Sequence, residues 1–372
     1  MDTDAAITQL DIPAEAEFIK CYHKLEEKSD LTFRFFDHKD FFTVHGNDAS
    51  FIAEHIIRTQ NVIRYIGSEK LASVAISANK LDSILRELLI IRRYRIEFYE
   101  KADRSWKLRN KCSPGNLGEL EELIYSNSDC IQSHGLLSIK VATGDDTLIG
   151  LAYIDTFERC LFACEFADNR YYTTFEALLV QLGPQEVIIS ENVQNSSYFK
   201  QIDTILHLNN ILVTKLKSQM FNIGSFDTEM KRIQNLLHPS SKGVSAANDL
   251  GTQKLAVSAI GAIFKFLNLS DDESYGQYMF HRLKIDSFMR LDSSVITSLN
   301  LFSNLQNNSQ HKSISSLYSL LNNCKTAAGK RLLSHWIRQP LTDLMRIDER
   351  LDLVEHFFSN AGCSETLSEN FL

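Results

Sequence analysis

The sequence predicts a multidomain chain in which two α/β domains precede a purely helical region. Three observations predict it. Up to about Asn110, short strand-like and helix-like stretches alternate. From Leu136, three apolar runs bounded by turn residues come first, and helices then alternate with strands. From about residue 277 only the 3.6-residue periodicity of amphipathic helices remains. At about 100–200 residues per domain, 372 residues suit two or three domains. The pattern changes place them at 1–112, 113–275 and 276–372.

In the first region, Leu31–Phe36 and Asp40–Val44 have the composition of neighbouring strands. Asp48 is expected to cap a helix carrying Phe51, Ile52, His55 and Ile56. Ala72–Ile76 is strand-like, and Leu81, Ile84, Leu85, Leu88 and Leu89 share one helical face. Alternation in Tyr94–Tyr99 marks another strand. Lys111–Asn116, with its Ser-Pro-Gly-Asn run, suits a linker.

In the second region, Leu136–Val141, Leu148–Ile154 and Cys160–Phe166 are the apolar strands, the first two joined by a Gly144-Asp145-Asp146 hairpin turn. A helix with Phe175, Leu178, Leu179 and Leu182 leads through Gly183-Pro184 into Val187–Ile189. A further helix precedes Ile211–Val213, Ser240–Gly243 is loop-like, and Gln253–Leu269 closes the region as a helix. That order is a mixed sheet with helices packed on it. In the third region Leu291-Asp292-Ser293 caps a segment with Val295, Ile296, Leu299 and Phe302. A polar loop, Asn304–Lys312, precedes a helical stretch with Ile314, Leu317, Leu320 and Leu321. Thr326 starts a helix that ends before Pro340. Trp336 and its leucines read as core contacts, and Gly329 as a point of close helix approach. Thr342 or Asp343 caps the last helix, whose stripe is Leu344, Ile347, Leu351, Val354 and Phe358. Such stripes need partners, which predicts a longer parent protein.

Composition narrows the function classes. No apolar run approaches the roughly 18 residues of a membrane span, and the acidic N-terminus lacks a signal-peptide pattern. A soluble, intracellular protein without a membrane partner is expected. The seven cysteines are scattered, without a C-x-x-C pair, so reduced thiols and no metal site are expected. A net charge of −8 argues against a generally basic nucleic-acid binder, but allows a small DNA-contacting surface. No phosphate-binding loop occurs, since Cys324 stands where Gly329-Lys330-Arg331 would need its first glycine. No other catalytic signature is present, so neither an enzyme nor a cofactor is expected. Asp155, Glu165 and Asp168 could form a two-metal nuclease cluster, although turn and rim positions explain them more simply. Arg92, Arg93 and Arg95 beside Tyr94 could face phosphate, although salt-bridge donors at a helix–strand junction are the commoner case.

One series of motifs goes further. Phe288-Met289-Arg290-Leu291-Asp292, Asn300-Leu301, Cys324 through Leu341 and Arg350-Leu351-Asp352-Leu353-Val354-Glu355 occur in order over nearly seventy residues. Together they closely resemble the start of the lever region of MutS DNA mismatch-repair proteins. Upstream, the second region is similar to the family's ribonuclease-H-like connector domain and the first to its mismatch-binding domain. The resemblance implies a recognition subunit that binds mismatched double-stranded DNA and signals to a MutL-type partner. It also implies nuclear location, and that the ATPase, with its ATP and Mg²⁺, lies in a missing C-terminal part. In mismatch-reading subunits the strand matching Asp40-Phe41-Phe42-Thr43 carries Phe-x-Glu, the phenylalanine wedging at the mispair and the glutamate bonding a base. Phe41 keeps the aromatic, but Thr43 replaces the acid. That pattern resembles the subunit common to the eukaryotic heterodimers, so base reading is expected from a mismatch-reading MutS homologue as partner. Phe41 itself reads slightly better as a core aromatic than as a wedge. The alternative is a stand-alone interaction module that binds repair partners without DNA.

Overall fold

The computed structural model describes residues 12–102, 105–120, 135–143, 147–156, 158–191, 197–238, 250–269, 278–283, 288–302 and 316–360, plus positions 276, 362, 366 and 369. The expected turn at 144–146 and the loops at 240–243 and 304–312 lie outside these residues. The chain divides into two compact units, 1–128 and 129–372.

The first unit is built on a six-stranded sheet. Its strands are β1 (Thr32–Asp37), β2 (Phe41–His45), β3 (Arg64–Ile66), β4 (Leu71–Ser77), β5 (Arg95–Ala102) and β6 (Ser105–Cys112), in the order β3-β4-β2-β1-β5-β6. β1 and β2 form a hairpin, and β5 lies parallel to β1 in the register Phe36↔Tyr99. Alternation gives the sheet two apolar faces. On one, α1 (Ile12–Tyr22) sets Phe18 and Ile19 against Phe36, Tyr99 and Trp106. On the other lie Phe35 and Phe98, and Phe33 there meets Phe51 of α2 (Asn47–Phe51). Two helical segments continue with π geometry, Ile52–Ile57 after α2 and Glu87–Ile91 after α3 (Ala78–Arg86).

Two expectations change here. Asp48 does not cap α2: the N-cap is Gly46, at φ 64° and ψ −135°. The buried Asp48 carboxylate instead accepts from the Arg34 backbone N–H (3.1 Å) and pairs with Lys28, tying the helix to β1. Lys111 and Cys112, read as linker, belong to β6, and a turn closed by Ser113 and Asn116 follows.

In the second unit β7 (Leu136–Thr143), β8 (Thr147–Asp155) and β9 (Cys160–Asp168) are antiparallel. β10 (Glu186–Ser190), β11 (Leu212–Leu216) and β12 (Met279–Arg282) add parallel strands, giving the order β11-β10-β7-β8-β9-β12. α4 (Thr173–Leu182) and α5 (Ser197–Leu208) cover one face, packing Phe175, Leu178, Leu179, Ile202 and Leu206 on Leu137, Ile139 and Leu151. α6 (Phe226–Leu236) and α7 (Lys254–Phe266) cover the other, with Val257, Ile260 and Ile263 on Leu136, Ala152 and Ile154. Gly150 lets α7 approach β8: a Cβ there would lie 2.3 Å from the Leu255 carbonyl carbon. None of the helices among the described residues is long and apolar enough to cross a membrane.

Among the described residues these helices follow: α8 (Ser293–Ser298), α9 (Leu317–Leu321), α10 (Ala327–Arg338) and α11 (Leu344–Ser359). Asp292, Thr326 and Asp343 cap α8, α10 and α11 through their side chains, Asp343 being one of the two residues the sequence leaves open for the last cap. α8 and α10 rest on α4, burying Leu291 and Leu301 against Val180, while Gln339 Nε2 donates to the Gln181 carbonyl at 3.1 Å. Trp336 is only partly buried, with the Arg350 guanidinium 4.1 Å from its ring, so it is not the core residue expected. Gly329 faces its own cap, Thr326 Oγ1, rather than another helix. Leu344, Leu351, Val354 and Phe358 of α11 are exposed.

Candidate nucleic-acid interface

The β1–β2 hairpin carries the first two candidate residues. Asp37 pairs with Phe42, which leaves Lys39 and Asp40 as a two-residue loop flanked by His38 and Phe41. Lys39 takes φ 76°, a conformation favoured for glycine in primed hairpin turns. Its N–H is held by Asp37 Oδ1 at 2.6 Å, and the His38 N–H donates to the Phe41 carbonyl at 3.0 Å. His38 and Phe41 are therefore opposed across the hairpin. Their rings lie parallel, with centroids 4.8 Å apart and 7° between planes. Trp106 of β6 meets the other aromatic neighbours, 5.1 Å from His38 and 5.3 Å from Phe36.

Thr43 lies two residues on, on the same face as Phe41, and is 2% exposed. Its hydroxyl lies 2.9 Å from His38 Nε2 and 2.9 Å from His45 Nε2. The hydroxyl is thus engaged from both sides by imidazole nitrogens inside the sheet. His45 is 2% exposed, and its Nδ1 is buried without a hydrogen-bond partner among the described residues. Burial, with His38 adding to it, pushes the His45 imidazole down to about 3. Burial also lowers His38, reinforced by Lys101 and opposed by Asp37. Beneath the hairpin, Glu97 gathers Arg34 (3.1 Å), Lys111 (3.1 Å) and the Tyr99 hydroxyl (3.1 Å).

The arginine trio lies elsewhere. Arg95 is level with Thr32, whereas Thr43 is level with Phe36, four residues along β1. That is about 13 Å along the strand direction. Arg92 is exposed, pairs with Glu87 at 3.0 Å, and sets its guanidinium 5.4 Å from the Phe51 ring. Arg93 takes φ 59° at the helix exit, and Arg93 and Arg95 are half-buried. The candidate residues thus separate into two groups at opposite ends of one sheet. His38, His45 and Trp106 were not singled out from sequence, because only strand register brings them to Phe41 and Thr43.

The acidic trio of the second unit is engaged with backbone. Asp155 Oδ1 accepts from the Glu158 N–H at 2.9 Å. Glu165 accepts from Leu255 N at 2.9 Å, and Asp168 from Phe175 N at 2.7 Å, at the first turns of α7 and α4. These are helix-terminus contacts, favourable for a carboxylate. Among the described residues, no group of three or more His, Cys, Asp or Glu side chains could hold a metal ion.

The family models described as MutS domain I, MutS domain II and MutS domain III match residues 16–121, 134–279 and 294–372. DNA mismatch repair protein MSH2 of Arabidopsis thaliana is 33% identical over 369 residues, covering 97% of this chain and 38% of that protein. DNA mismatch repair protein spellchecker 1 of Drosophila melanogaster is 29% identical, over 98% of this chain and 40% of the relative. DNA mismatch repair protein MutS of Rickettsia africae (strain ESF-5) is 24% identical, over 82% and 33%. The chain spans about two fifths of the length of the first two of these relatives. Three domain models of one family follow one another along nearly the whole sequence, and the eukaryotic relatives align from end to end of it: this chain belongs to the MutS family of DNA mismatch-repair proteins and is MSH2-like.

Proposed function

We propose that this chain serves in mismatch recognition as the subunit that does not read the mispair. It pairs with a mismatch-reading MutS homologue on mismatched double-stranded DNA, in the nucleus, and passes the signal to a MutL-type protein. The observation that carries this reading is Thr43, buried with its hydroxyl between two histidines. No carboxylate is offered at that position, and the hydroxyl is engaged by both imidazoles inside the sheet. The mixed sheet of β7–β12 with helices on both faces supports a ribonuclease-H-like connector, and α8–α11 a lever. Within this reading ATP hydrolysis belongs to sequence outside residues 1–372, and ATP turnover by this chain above a blank would contradict it.

A gel-shift with G·T and G·C duplexes tests the division of labour. Preference for G·T is expected only when the mismatch-reading homologue is added. The absence of DNA retention in every mixture would instead support an interaction module that works without DNA.

A further inference from the structure

Resting on that reading, we infer that His38 is a specificity-determining residue: its ring covers Phe41 and withholds the phenylalanine from DNA. An aromatic wedge acts by offering a ring face to an unstacked base. Here one face of Phe41 is already taken by an imidazole 4.8 Å away and 7° from parallel. The imidazole is itself fixed, because its Nε2 lies 2.9 Å from Thr43 Oγ1 and its ring edges onto Trp106 at 5.1 Å. Thr43 is fixed in turn by His45 from the buried side. The hairpin loop, with the Lys39 N–H held by Asp37, sets His38 directly across from Phe41. Thr43 therefore acts twice: it lacks the acid, and its hydroxyl anchors the ring that occupies the neighbouring aromatic. A base stacking on that face of Phe41 must first displace His38.

The test separates stacking from hydrogen bonding. His38→Gln keeps an amide able to reach Thr43 but removes the ring, whereas His38→Phe keeps a ring without the hydrogen bond. The 372-residue chain is added to a duplex carrying one unpaired 2-aminopurine, with fluorescence anisotropy reporting retention and emission reporting stacking on the base. His38→Gln should quench emission at least threefold more than the parent chain, and the double variant H38Q/F41A and the single H38F should not. Equal quenching by H38Q and the parent, or quenching by the parent that F41A removes, would overturn the inference. In the DNA-free chain, His38 ring-proton resonances should carry an upfield shift that Phe41→Leu abolishes, and no such shift would also overturn it. Failed retention in all mixtures, with or without the mismatch-reading homologue, counts against the mismatch-repair reading instead, while the His38 shift is read without DNA.

Discussion

His45 links the buried end of the hairpin to pH. Its folded imidazole titrates at about 3, whereas an unfolded one takes its proton near 6.5. Between these values acid protonates the unfolded chain first, so the stabilisation present above about pH 6.5 is lost as pH falls toward 3. The expected slope from this residue is up to roughly 1.4 kcal/mol per pH unit. Urea titrations between pH 7 and 4 should show it for the first unit, and His45→Asn should flatten it; an unchanged slope would refute the assignment. Lys39 makes a second prediction, since its φ of 76° strains a side-chain-bearing residue. Lys39→Gly should raise stability by about 0.5–1 kcal/mol, read as a higher urea midpoint at constant m-value. Phe41 and Thr43 were legible as a site only through the resemblance of their strand to a known motif. Their partners were not, because His38 and His45 reach Thr43 through hairpin geometry, and Trp106 through a strand the sequence did not reveal.

Elements were legible where a single period dominated. β7, β8 and β9 read as apolar runs because both of their faces are buried under helices. β6 was missed because an edge strand of Ser-Trp-Lys-Leu-Arg-Asn-Lys-Cys alternates charge with mixed residues and has one exposed edge. β3 was missed because three largely exposed residues leave no pattern. Caps at Asp292 and Thr326 were legible and that at Asp343 only as one of two, with Thr342, whereas Asp48 was drawn away by a backbone donor and a lysine that only tertiary structure supplies. Two substitutions test this level. Thr326→Ala should cost about 1 kcal/mol, since the Gly329 N–H loses its acceptor at 3.1 Å. Gly150→Ala should cost about 3 kcal/mol, because the new methyl meets helix backbone that cannot rotate away. Thermal unfolding of the chain should show both losses, the second clearly larger.

At the scale of the molecule, the net charge of −8 is that of a protein whose surface does not hold phosphate generally. The first unit offers two distinct places instead: an arginine-bearing end near Arg92 and Arg93, and an aromatic hairpin already closed on itself by His38 and Thr43. Under the proposed function, a subunit so built holds its place in an assembly while its companion reads the base. The most direct test is Phe41→Ala in this chain, assembled with the mismatch-reading homologue, measuring affinity for G·T against G·C. The ratio should stay within about twofold of the parent assembly, under roughly 0.5 kcal/mol. A fall of tenfold or more, about 1.4 kcal/mol, would mean that this phenylalanine reads the mispair after all.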